Sequence, residues 1–263
     1  SKFAKWFDAP ERNREKKYIV GSGPYTFEEW LTGENIKLKR FDGYWNKGNN
    51  PYKASYPDQL VFKFIGDRAQ ALLMMERGEI DFIEYINPIL FRTIDTNVTR
   101  TIATSSYIVP TYMYIGWNQK RPVFSDKKTR QALSYLVNKD SLLQAVMYGM
   151  AIPINSPIYF GRPEYESTLN NYEYNTTKAK QLLAEAGWSD SNGDGILDRV
   201  INGTKVDFTF SFLINAGNES RESITRLLCA EFRKVGIRAD VQAIVWTLFL
   251  EYLKSNEFDA FIG

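Results

Sequence analysis

The stretch VDFTFSFLINAGNESRESITRLLCAEFRKVGIRADVQAIVWTLFLEYLKSNEFDAFIG, residues 206–263, decides the fold of this chain. VDFTFSFLI (206–214) alternates apolar and polar side chains with the period of two expected of a strand. NESRESITRLLCAEFRKVG (218–236) carries Ile224, Leu227, Leu228, Phe232 and Val235 at helical spacing. RADVQAIV (238–245) reads as a second strand, TLFLEYLKS (247–255) as a second helix and FDAFI (258–262) as a third strand. A βαβαβ succession favours a parallel sheet, and in open parallel sheets ligands bind beyond the carboxyl ends of the strands. Two such ends fall at residues 215–218 and at Trp246-Thr247; a third would follow Gly263.

Working outward, 18–41 reads as strands broken at Gly21-Ser22-Gly23-Pro24 and at Thr32-Gly33-Glu34. QLVFKFI (59–65) is a strand, and Asp67 caps a helix, RAQALLMMERG, that Gly78 closes. DFIEYI (81–86) reads as a short strand, NPILFRTI as a short helix, and 99–118 as two extended segments. Ser125 or Asp126 caps a helix carrying Ala132, Leu133, Leu136 and Val137; KDSLLQAVMY is the next, and Thr176 or Thr177 starts KAKQLLAEAG. The Pro- and Gly-rich run 151–167 is the expected crossing into a second lobe.

Composition excludes more than it assigns. Histidine is absent, which removes Ser-His-Asp and Cys-His nucleophile schemes and every His-containing metal site. One cysteine, Cys229, rules out an intrachain disulfide. A net charge of +2 does not call for nucleic acid, and the basic run 12–17 is interrupted by Glu15. No apolar run approaches the roughly 20 residues that span a bilayer. Aromatic content of 15%, much of it Tyr and Trp, suits ligand clefts as well as cores.

Several motifs compete for a functional role. Asp190, Asn192, Asp194 and Asp198, with glycine at loop position six, match the start of a calcium loop. Position twelve is Ile201 where a bidentate Glu is expected, so an Asx-rich turn is the competing account. Gly21-Ser22-Gly23-Pro24-Tyr25 lacks the Lys-Ser/Thr pair of a phosphate loop and reads as a turn that places Tyr25. Glu79, Asp81 and Glu84 lack the convergent spacing of a catalytic carboxylate pair. The sequons at Asn97, Asn175, Asn202 and Asn218 occur at chance-like spacing. Asn215 and Trp246 stand out by topology, and Asn218 reads as a helix cap beside them.

Five segments, in order, resemble the solute-binding proteins of peptide, dipeptide and nickel ABC transporters, extracellular family 5. They are GSGPYTFEEWLTGENIKLKRFDGYWN (21–46), LMMERGEIDFIE (73–84), YIGWNQKRPVFSDKKTRQALSYLVNKDSLLQAV (114–146), AKQLLAEAGWSDSNGDGILD (179–198) and 212–263. The resemblance implies an α/β, type II periplasmic-binding-protein-like fold, two-lobed and closing by hinge motion. It implies that 1–149 form part of lobe I and 150–263 most of lobe II, in a fragment lacking both terminal parts of the family's chain. Trp246 matches a tryptophan that faces the ligand, Asn215 a loop position near the ligand backbone, and Asn118 the segment between the lobes; Asn218 joins this ligand set. The acidic residue that pairs with a peptide's amino terminus would follow residue 263, and Lys254 is the only cation from 246 to 263.

The expected function is the substrate-binding component of a bacterial ABC importer. It would bind peptides or another small solute, meet a permease, work as a monomer with no cofactor, and have no chemistry or nucleic-acid partner. Its expected place is the periplasm or the outer face of the membrane, attached only through an anchor outside this stretch. The alternatives are an oligosaccharide receptor of the same fold and a carbohydrate-active enzyme with paired carboxylates.

Overall fold

The computed structural model describes residues 19, 21–45, 56–94 and 102–263. The chain divides into two compact units, Ser1–Ile86 and Asn87–Gly263. That division falls before the Pro- and Gly-rich run 151–167 in which the crossing between lobes is expected. The basic run 12–17 and Asn97 lie outside the described residues.

The first unit contains an antiparallel sheet of β1 (Tyr25–Leu31), β2 (Asn35–Arg40) and β3 (Gln59–Lys63), followed by α1 (Arg68–Glu76). Register pairs Phe27 with Leu38, Leu38 with Leu60, and Ile36 with Phe62, which puts these apolar side chains on one face. Asp67 caps α1 by accepting from Gln70 N at 2.9 Å, and Gly78 takes the left-handed backbone that ends it. Residues 81–86 form no strand. Their alternation has no partner strand among the described residues, and strand propensity without pairing does not make a sheet.

The second unit opens with the four-residue helix α2 (Pro88–Phe91), capped by Asn87. Its central sheet has the order β4 (Ile115–Trp117), β9 (Ala260–Ile262), β7 (Thr209–Asn215), β8 (Arg238–Ile244). Strand β7 is parallel to both β8 and β9, as the βαβαβ pattern requires, whereas β4 is antiparallel to β9 and forms an edge. Residues 102–114 form no strand; of the two extended segments expected in 99–118, β4 is the one strand among the described residues. The stretch 206–214 also splits. Lys205 and Val206 belong to a hairpin of β5 (Asp198–Ile201) and β6 (Thr204–Asp207), closed by Asn202-Gly203 in left-handed backbone. Phe208 breaks the run because its ring stacks on Trp188 at 4.3 Å and its N–H donates to Leu197 O.

Helices cover both faces of the sheet. Phe210, Phe212 and Ile214 join Ile224, Leu228, Phe232 and Val235 in a core with α6 (Glu219–Arg233). Val123, Phe124, Ala132, Leu133, Leu136 and Val146 belong to the same core, contributed by a 3-10 turn (Pro122–Phe124), α3 (Lys127–Tyr135) and α4 (Lys139–Ala145) with its flanking Val146. Half-buried Trp117 packs against it, 5.0 Å from Phe124, 5.9 Å from Phe210 and 5.8 Å from Phe212. Asp126 caps α3, and Asn175 caps α5 (Thr176–Glu185), one residue before the expected start. On the opposite face, Phe249 of α7 (Trp246–Ser255) meets Phe261 edge-on at 6.4 Å.

Candidate functional site

Because β7, β8 and β9 run parallel, their carboxyl ends open on one edge. Strand β7 delivers Asn215 there, and Ala216 N extends the pairing to Ile244 O at 2.7 Å. Strand β8 passes through Val245 directly into α7, so Trp246 is the first residue of that helix rather than a loop residue. Its indole stacks on Phe249 at 5.4 Å with planes 17° apart, and the side that does not face Phe249 leaves the residue 52% exposed. Phe249 itself is buried. The aromatic run continues from Phe249 to Phe261, from Phe261 to Tyr114 at 5.5 Å, and from Tyr114 to Tyr112 at 5.6 Å. Tyr114 and Gly263 exchange backbone hydrogen bonds of 3.0 Å each way, so the antiparallel β4 brings Tyr114 to this edge.

Asn215 and Asn218 are joined through Arg221. Asn218 Oδ1 accepts from Arg221 N at 3.0 Å, the cap foreseen for α6. Arg221 Nη1 then donates to Asn215 Oδ1 at 2.6 Å, while its guanidinium lies 5.9 Å from the Phe249 ring. Burial lowers the pKa of Arg221, with Tyr114 acting in the opposite sense. Sequence reasoning missed Arg221. A cation three residues past the cap sits against the helix dipole, and that unfavourable placement was the available signal. Tyr114, Phe249 and Phe261 were also missed, since nothing local marks aromatics that meet only through sheet register.

Asn118 does not join this group. It follows β4 and lies at the other edge, where β9 begins. Only 7% exposed, its Nδ2 donates to Asn256 O at 3.2 Å and to Phe258 O at 2.8 Å, and its Oδ1 accepts from Lys120 N. Both amide protons are therefore in use, in a tie between β4 and the chain entering β9. At the same edge Asp259 accepts from Ser211 N at 3.0 Å and pairs with Arg121 at 2.9 Å.

The Asp/Gly loop uses its oxygens on its own backbone. Asp190 accepts from Gly193, Asp194 and Gly195, and Asp194 Oδ1 accepts from Ile196 N. Buried Asp198 accepts from Ser191 N and Oγ and pairs with Lys205 at 3.2 Å. The Ser191 N–H bond is the main cause holding the Asp198 carboxyl below its usual range. Asn192 Nδ2 donates to Asp194 Oδ2. Among the described residues no cluster of three or more Cys, Asp or Glu is arranged to hold a metal ion. Glu79, Asp81 and Glu84 are exposed and belong to the first unit. Cys229 is buried in α6, and burial pushes its thiol up to about 11. No helix of the described residues is long and apolar enough to cross a membrane.

Known proteins share this fold. The family model described as bacterial extracellular solute-binding proteins, family 5 Middle, matches residues 2–263. An oligopeptide-binding protein, AppA, of Bacillus subtilis is 35% identical over 255 residues, covering 96% of this chain and 44% of the relative. Its structure in complex with a nonapeptide superposes with a TM-score of 0.71 at 33% identity, over 94% of this chain and 47% of that one. An oligopeptide-binding protein from Thermus thermophilus complexed with a pentapeptide gives 0.74 at 25% identity, over 100% of this chain and 46% of that one. NikZ from Campylobacter jejuni, solved in complex with Ni(L-His), gives 0.73 at 25% identity, over 92% and 45%. This chain thus spans less than half the length of these relatives. The parallel strands, the edge they build and the match over nearly every residue together place the chain among the family 5 bacterial extracellular solute-binding proteins.

Proposed function

We propose that this chain supplies much of one lobe of a peptide receptor for a bacterial ABC importer. The observation that carries the reading is the carboxyl edge itself, where an exposed indole, a row of aromatic rings and a half-buried amide converge. Aromatic faces bury the apolar surface of a bound solute, and amides satisfy its backbone groups, the combination a peptide requires. The relatives solved with a nonapeptide and a pentapeptide support peptides as the solute class. Residues 115–146 share their core with 208–262, which favours counting them with the second lobe and not with the first.

The proposed protein is a binder and not an enzyme: its partners are the solute and a permease, and it works as a monomer on the outer side of the membrane. The side chains gathered at the edge are amides, aromatics and one arginine, which favours binding over the acid–base chemistry of a glycosidase. Calorimetry on the protein expressed from its complete gene, against tri- to nonapeptides, maltooligosaccharides and nickel–histidine chelates, tests the reading. Binding of peptides alone is the expected result. Binding of sugars or chelates without peptides would overturn the solute class, and turnover of a glycoside would overturn the binder.

A further inference from the structure

The helix cap, the arginine and the strand-end amide form a relay. The cap bond from Asn218 and the bond from Thr225 Oγ1 to Arg221 O, 2.6 Å, fix the Arg221 backbone in the first turn of α6. Its side chain bears two unfavourable terms there, partial burial and a position against the helix dipole. Among the described residues no carboxylate lies within ion-pair distance of it, so no counter-charge offsets them. What the guanidinium does instead is hold Asn215. Arginine has only donors, so the Asn215 atom 2.6 Å from Nη1 must be the carbonyl oxygen, and the amide cannot be flipped. The Nδ2 group is then turned away from Arg221 and donates to nothing among the described residues.

We propose that Arg221 is a positioning residue for solute binding: it fixes the Asn215 amide so that Nδ2 is presented as a donor to a carbonyl oxygen of the solute. The inference rests on the peptide-receptor reading and adds to it a residue that acts through another. Without Arg221 the amide turns freely and offers the solute an oxygen as often as a donor, which weakens rather than abolishes the contact.

The test is calorimetric binding of pentaalanine and its C-terminal amide to the protein expressed from its complete gene, with melting curves on each variant. N215A should lower affinity for both peptides about tenfold, the size of one lost hydrogen bond, R221A about twofold, as expected when the amide presents its donor half the time, and the double variant no further than N215A. R221K, which keeps a donor, should restore most of the loss. N215D should melt no lower than wild type, because its carboxylate pairs with Arg221, yet bind as weakly as N215A because the donor is gone. An unchanged affinity in N215A would remove Asn215 from the site and the relay with it, and so would failure of the wild type to bind pentaalanine. A loss in N215A with none in R221A, or losses that add, would overturn the positioning role alone. A loss in R221A confined to the free-acid peptide would also overturn it, because Arg221 would then contact the solute's carboxylate directly.

Discussion

Phe261 lies across Gly116, its register partner on β4, so closely that a Cβ on Gly116 would stand 2.1 Å from Phe261 Cε1. The missing side chain is what lets the ring reach Tyr114 on one side and Phe249 on the other. G116A should therefore destabilise by about 1–3 kcal/mol, the usual cost of overpacking, seen as a lower urea midpoint at constant m. Replacing Phe261 with Leu in the same chain should recover part of that loss. Two penalties that simply add would show that the ring does not depend on this glycine.

Trp246 and Phe249 touch but should answer differently to truncation. The indole is half exposed, so W246A should leave the melting temperature nearly unchanged while weakening peptide binding tenfold or more. Phe249 is buried, and F249A should cost about 3–5 kcal/mol of stability. Chemical denaturation and calorimetry on both variants separate the two roles.

Asn118 gives the opposite pattern. With its amide removed, Asn256 O loses its bond from Nδ2 and Phe258 O keeps only the longer bond from Arg121 Nε at 3.3 Å, so N118A should lose about 1–3 kcal/mol. Affinity for peptide should stay at the wild-type value once folding is allowed for. A selective loss of binding would return Asn118 to the ligand set.

Asp198 makes stability depend on pH in a defined direction. Its carboxyl is held below the ordinary value of 3.8, first by Ser191 N–H and then with help from Lys205. A depressed carboxylate contributes stability that is complete above its unfolded value and is lost as pH falls through the folded one. D198N should therefore melt lower than wild type at pH 7, and the gap should close below about pH 3.8. Calcium should leave the melting temperature unchanged at pH 7, since Asp190, Asp194 and Asp198 are occupied by backbone donors, Ser191 and Lys205. A rise with calcium would make the loop a cation site.

Local signals carried the second half of the chain well. The helices around Leu228 and Phe249 and the strands around Phe212 and Val241 stand where their periods put them, because each covers or forms one sheet. Residues 206–214 failed as one strand for a tertiary reason, the stacking of Phe208 on Trp188. Residues 81–86 failed because alternation supplies no pairing partner. Asn215, Trp246 and Asn218 stand at the carboxyl edge, where strand ends and cap chemistry put them. Asn118 stands at the opposite edge from them, because β4 is antiparallel to β9. Arg221 and Tyr114 reach the edge through register and helix phase, neither of which a single segment encodes.

The placement of β9 between β7 and β4 has a consequence for how the polypeptide comes into being. Strand β4 pairs with no other described strand, and Asn118 is tied to Phe258, 140 residues further along. The backbone of β4 thus has no strand to pair with until Ala260–Ile262 have been made, although the Trp117 ring meets Phe124, Phe210 and Phe212, which precede them. Closure over such a separation is slow, and nearly all of this unit must be translated first. The sheet of this unit is therefore completed by its last strand, and β4 has no partner strand among the described residues until then.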